Sequence, residues 1–191
     1  MRRITRFFWL TLLLLLLVTA TAAALPRFAF ELHAPHLVQR PRGTLDEALR
    51  RAIDASLDKS PPGSVDEARD FALSVTDRML HFGLDHPTSL AFTIEPREGN
   101  CIEYAQLFAR VFDRAAARGK LKARAYVIHS EQARLFGQKV PLRGFDDHDW
   151  ALIDDHQGPG DARRLYVDPT MHDAGLGWDI GPAVLGEIKL P

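Results

Sequence analysis

Cysteine is the scarcest reactive group in this chain: Cys101 alone among 191 residues. One thiol forms no intramolecular disulfide, so a disulfide-built fold is excluded. An excess of charge is also missing. Lys and Arg number 24 against 25 Asp and Glu, which leaves no electrostatic footprint for nucleic acid. The zinc signatures H-E-x-x-H and paired cysteines do not occur. The run Asp146-Asp147-His148-Asp149 has metal-ligating residue types but none of those spacings. Internal repeats are absent too.

What is present begins with a distinct N-terminus. Arg2, Arg3 and Arg6 precede an apolar run, Phe7 to Val18, broken only by Thr11. Small residues follow, and Ala22-Ala23-Ala24 fits an A-x-A cleavage site. Residues 1–24 are therefore expected to be a secretory signal peptide or an N-terminal membrane anchor. Residues 7–25 come close to the roughly 20 a spanning helix needs. Either way the basic start stays inside, and the rest is expected in the periplasm or outside the cell. The remainder, 46% apolar over the whole chain, can build a core of ordinary size. It divides into an N-terminal extension over 25–63 and a main domain over 64–191.

Local signals place the elements. Pro26 to Arg42 reads as an extended lead-in. Thr44-Leu45-Asp46-Glu47 matches a capping box that opens a helix to about Leu57. Ser60 to Gly63 breaks it, and Ser64 to Glu67 caps a second helix that runs to Phe82, before Gly83. Residues 85–100 read as loop. A third helix runs from Cys101 to about Arg118, with Tyr104, Ala105, Phe108, Val111, Phe112 and Ala115 as its stripe, and Gly119 stops it. Thereafter the period becomes two. Strands are expected from about Leu121 to His129, Leu135 to Leu142, Asp149 to Asp154 and Arg164 to Asp168, with a turn over 157–161. The tail from Met171 stays unassigned. Helices first and strands second predict an α+β fold, with strand connections short enough for antiparallel neighbours.

Three positions could carry chemistry. The bland account of a lone thiol is a small buried hydrophobe. A thiol at a helix start has a further property, because partial positive charge and free N–H groups there favour a thiolate. The same N–H groups can hold an oxyanion. His148, at a strand start, can take the thiol proton and return it to a leaving amine. Asp168, at a strand end, can fix the imidazole tautomer. Arg97, Glu98 and Glu103 beside the cysteine read as solvated charges. His129 and His172 lie near strand ends and are secondary pocket candidates.

Gly99-Asn100-Cys101-Ile102-Glu103-Tyr104-Ala105, then Leu107-Phe108, resembles the cysteine motif of the transglutaminase-like superfamily. Asp147-His148-Asp149-Trp150-Ala151 resembles its histidine motif, and Tyr166-Val167-Asp168-Pro169-Thr170 its aspartate motif, in the same order. The resemblance covers about Ser64 to Thr170. It implies a papain-like core, with the cysteine helix packed on a small antiparallel β-sheet. It also implies acyl transfer at an amide or peptide bond through Cys101, His148 and Asp168, with hydrolysis favoured over cross-linking. A peptide or protein substrate is implied, cell-envelope material included, without cofactor or metal. The upstream tryptophan that helps hold the oxyanion in eukaryotic transglutaminases has no counterpart, since Trp150 and Trp178 follow the cysteine and Trp9 lies in the leader. The alternative is a non-catalytic domain that binds peptide or cell-envelope material with the same fold.

Overall fold

The computed structural model describes residues 30–40, 42–84, 86–139, 147–156 and 163–191. The leader over 1–24 and the turn over 157–161 lie outside the described residues. Four helices and ten strands are present among them: β1 Phe30–Leu37, β2 Thr44–Leu45, α1 Glu47–Lys59, α2 Val65–Met79, β3 Leu80–Phe82, β4 Ala91–Phe92, β5 Arg97–Gly99, α3 Cys101–Gly119, β6 Ala123–Leu135, β7 Gln138–Lys139, β8 His148–Asp155, β9 Arg163–Val167, α4 Pro169–Asp173 and β10 Val184–Leu185. A single 3-10 turn, Gly181–Ala183, precedes β10. The fold is α+β.

The main sheet runs β10-β1-β6-β8-β9, with β7 folded back on β6. β6, β8 and β9 are antiparallel neighbours, as their short connections predict. The sheet as a whole is mixed, because β1 pairs antiparallel with β6 and parallel with β10. The expected lead-in is thus a strand inside the sheet. Two small parallel pairs, β2 with β4 and β3 with β5, lie apart from it.

β8 is buried along its whole length, and its alternation explains the two cores. Ala151 and Ile153 join Ala125, Val127 and Val167 against the helices. Trp150 and Leu152 join Leu32, Ile128 and the tail residues Ile180, Ala183 and Ile188 on the other side. Leu49, Ile53 and Leu57 of α1 share the helix-side core with α2 and α3, so the extension and the later chain are packed together.

Helix boundaries follow local chemistry, with three departures from the sequence reading. α1 is capped by Asp46, whose Oδ1 accepts the Leu49 N–H at 2.7 Å. Thr44 is drawn into β2, where its N–H meets the Leu90 carbonyl at 2.7 Å. α2 is capped by Ser64 but ends at Met79, because Leu80–Phe82 pair with Arg97–Gly99. Gly119 is the last residue of α3 rather than its stop; the left-handed residue is Lys120, at φ 55°. Gly119 is needed for a different reason. A Cβ there would lie 2.3 Å from the Pro62 carbonyl oxygen, so the α1–α2 turn approaches α3 only over a glycine.

Candidate active site

α3 starts on Asn100. Its Oδ1 accepts the N–H groups of Ile102 at 3.1 Å and Glu103 at 3.4 Å, and Glu103 Oε2 accepts the Asn100 N–H at 3.0 Å. This reciprocal cap places Cys101 in the first helical position. It uses the two following N–H groups and leaves the one on Cys101 itself outside the cap. The thiol is only partly exposed.

Glu103 is not a solvated charge. It is fully buried, and its Oε1 accepts from Arg97 Nη1 at 2.5 Å and from the Ser89 N–H at 2.9 Å. One carboxylate thus ties the loop before the cysteine to the helix that bears it. The Asn-x-x-Glu spacing across Asn100 and Glu103 was the available sequence signal, since it is the form of a capping box. Arg97 is half-buried, and Glu98 alone of the three reaches solvent freely.

His148 opens β8 and is buried. Its Nε2 donates to Asp168 Oδ2 at 2.6 Å. Asp168 is itself fully buried and follows β9 directly. It also caps α4, its Oδ1 accepting the Thr170 and Met171 N–H groups at 3.0 and 3.1 Å. Pro169 at the first helical position suits that cap. Both carboxylate oxygens are therefore committed, and the imidazole has a fixed partner. The Phe30 ring meets it edge-on, with centroids 6.2 Å apart.

The Cys101 sulfur lies close enough to the same imidazole to favour its charged form. Nδ1 is the ring nitrogen that Asp168 does not engage. Burial works against charge on this ring. The Asp168 carboxylate, through its charge and its hydrogen bond, and the Cys101 sulfur outweigh burial, and His148 is held well above the ordinary 6.5. These neighbours favour the imidazolium form of the ring.

The three positions singled out in the sequence thus converge, while the secondary candidates do not. His129 Nδ1 pairs with Asp149 at 2.6 Å and His172 Nδ1 with Asp77 at 2.9 Å. The two described tryptophans are engaged elsewhere. Trp150 Nε1 donates to Ser130 Oγ at 3.0 Å, and the Trp178 ring lies under the Arg69 guanidinium, 4.1 Å from its centroid. Comparison with known proteins adds no relative: no family model, no curated protein and no solved structure matches the chain.

Proposed function

We propose that this chain is an exported cysteine-dependent acyl-transfer enzyme of transglutaminase-like type, acting on an amide or peptide bond through Cys101, His148 and Asp168. The observation that carries this reading is the buried His148 imidazole, hydrogen-bonded to Asp168 and lying within electrostatic reach of the lone thiol. The core is read as papain-like, with α3 as the cysteine helix and the sheet that bears β8 and β9 packed against it.

In this mechanism His148 takes the Cys101 proton, and the thiolate attacks the amide carbon. The carbonyl π pair moves to oxygen, and the Cys101 N–H at the helix start stabilises that oxyanion. The C–N bond then breaks, the nitrogen takes the proton from His148, and a thioester remains. Water enters, gives a proton to His148 and attacks the thioester. The sulfur leaves as thiolate, and the acid product and resting pair are regenerated. Asp168 stays ionised throughout and holds the ring in orientation. A peptide or protein, including cell-envelope peptide, is the proposed substrate, and no cofactor enters any step. The basic and apolar N-terminal stretch supports export, as a cleaved leader or an anchor.

Labelling with iodoacetamide at neutral pH tests the reading. Native Cys101 is expected to react faster than the urea-denatured protein, and His148→Ala should remove that advantage. Equal rates in all three samples would exclude a catalytic thiolate.

A further inference from the structure

A cavity of about 260 Å³ opens beside His148. Phe30, Phe82, Ala133, Met171, Ala174 and Leu176 supply its apolar wall, and Asp147 and Asp173 stand at its edge with almost no polar surface turned into it. His148 lines this cavity and Cys101 does not. Its size is just below the roughly 300 Å³ at which sites for drug-sized ligands begin, so it holds one side chain rather than a sugar chain or a nucleotide. Phe82 and Leu176 are 44% and 49% exposed, an apolar rim that a ligand would cover.

We infer that this cavity receives the amine side of the substrate and selects an uncharged apolar residue there. The inference rests on the acyl-transfer reading of Cys101 and His148, and its logic is positional. In that reaction the acyl carbon is bonded to sulfur, while the departing nitrogen must lie within reach of the imidazole that protonates it. A cavity walled by the imidazole, with the thiol outside it, is therefore on the leaving-group side. By microscopic reversibility the nucleophile that releases the acyl group enters through the same place, so an apolar amine bound there competes with water.

The near absence of polar surface in the cavity sharpens the choice. Asp173 Oδ2 accepts the Tyr104 hydroxyl at 2.6 Å, which fixes it at the cavity edge, and Asp147 is more than half exposed. A free carboxylate on the residue that occupies the cavity would lose its hydration there without a partner. The site accepts an internal or amidated apolar residue and discriminates against a free C-terminal one.

The test uses acyl partition. The protein is acetylated with p-nitrophenyl acetate, and acetyl-Cys101 is read by intact mass. Leucine amide, glycine amide and free leucine then compete with water for the acetyl group. Leucine amide should form at least tenfold more N-acetyl product than glycine amide at equal concentration, and more than free leucine. Ala174→Trp, which fills the cavity from its exposed edge, should bring the leucine-to-glycine ratio near one. Met171→Ala, which enlarges it, should shift the preference toward tryptophan amide. Acetyl-Cys101 that partitions equally between leucine and glycine amides overturns the cavity assignment and leaves the acyl-transfer reading standing. Absence of acetyl-Cys101 overturns both.

Discussion

Two histidine–aspartate pairs occupy neighbouring positions in the central strands. His148 meets Asp168 and His129 meets Asp149, each at 2.6 Å. In the β6–β8 register His129 lies opposite Asp149, and Ser130 lies opposite His148. Distance does not distinguish the pairs; their neighbours do. Asp149 also accepts from Arg40 Nη1 at 3.2 Å, and the His129 ring packs edge-on against His36, 5.2 Å between centroids. Among the described residues Asp168 has no arginine against it; its second oxygen holds two backbone N–H groups. His148 also has the Cys101 sulfur within electrostatic reach. A histidine–aspartate contact is thus a common structural unit, and the third group decides whether it can do chemistry.

The largest effect that would break this comparison is on rate. His148→Ala should lower Cys101-dependent hydrolysis of p-nitrophenyl acetate by about 10²–10⁴-fold, the usual worth of a general acid–base. His129→Ala should leave it near wild type. Similar losses from both variants, measured as initial rates on folded protein, would erase the distinction.

Stability should separate the carboxylates next. Asp168→Ala leaves a buried imidazolium without its partner and uncaps α4, a cost of about 3–5 kcal/mol in urea unfolding. Asp149→Ala should cost less, because Arg40 and His129 both reach solvent.

The dependence of stability on pH follows from the raised His148 value. The unfolded chain loses the imidazole proton near 6.5, and the folded chain holds it to higher pH. Its contribution is therefore complete below about 6.5 and declines as pH rises through the folded value. Urea midpoints of wild type should fall across that alkaline window more than those of His148→Ala. Parallel profiles would show that the ring carries no extra proton in the folded state.

The smallest effect compares two helix caps. Asn100→Ala and Ser64→Ala should each cost about 1 kcal/mol. Only the first should also slow iodoacetamide labelling of Cys101, because only that cap positions the thiol.

The sequence reading succeeded where the signal was local or strongly periodic. The starts of α2 and α3 follow from Ser64 and Asn100, whose side chains bond N–H groups within three residues. β8 and β9 follow from apolar runs bounded by turn residues. It missed β1 because Phe30–Leu37 carries Pro35 and two histidines, and its strand character comes from pairing with β6. It ran α2 on to Phe82 because the apolar spacing continues, while the ladder with β5 takes Leu80–Phe82 out of the helix. It misread Glu103 because burial is set by the distant chain, here Ser89 and Arg97, that closes over the carboxylate.

The amino-acid sequence by itself determined that Cys101 begins a helix, that His148 begins a strand and that Asp168 ends one. Caps and turns act over three or four residues, and neighbours in sequence suffice for them. Only the tertiary structure decided that these side chains meet, that Asp168 is shared between an imidazole and a helix start, and that an apolar cavity lies on the histidine side. Those outcomes depend on strand register and on closing long loops, and no short stretch of sequence contains them.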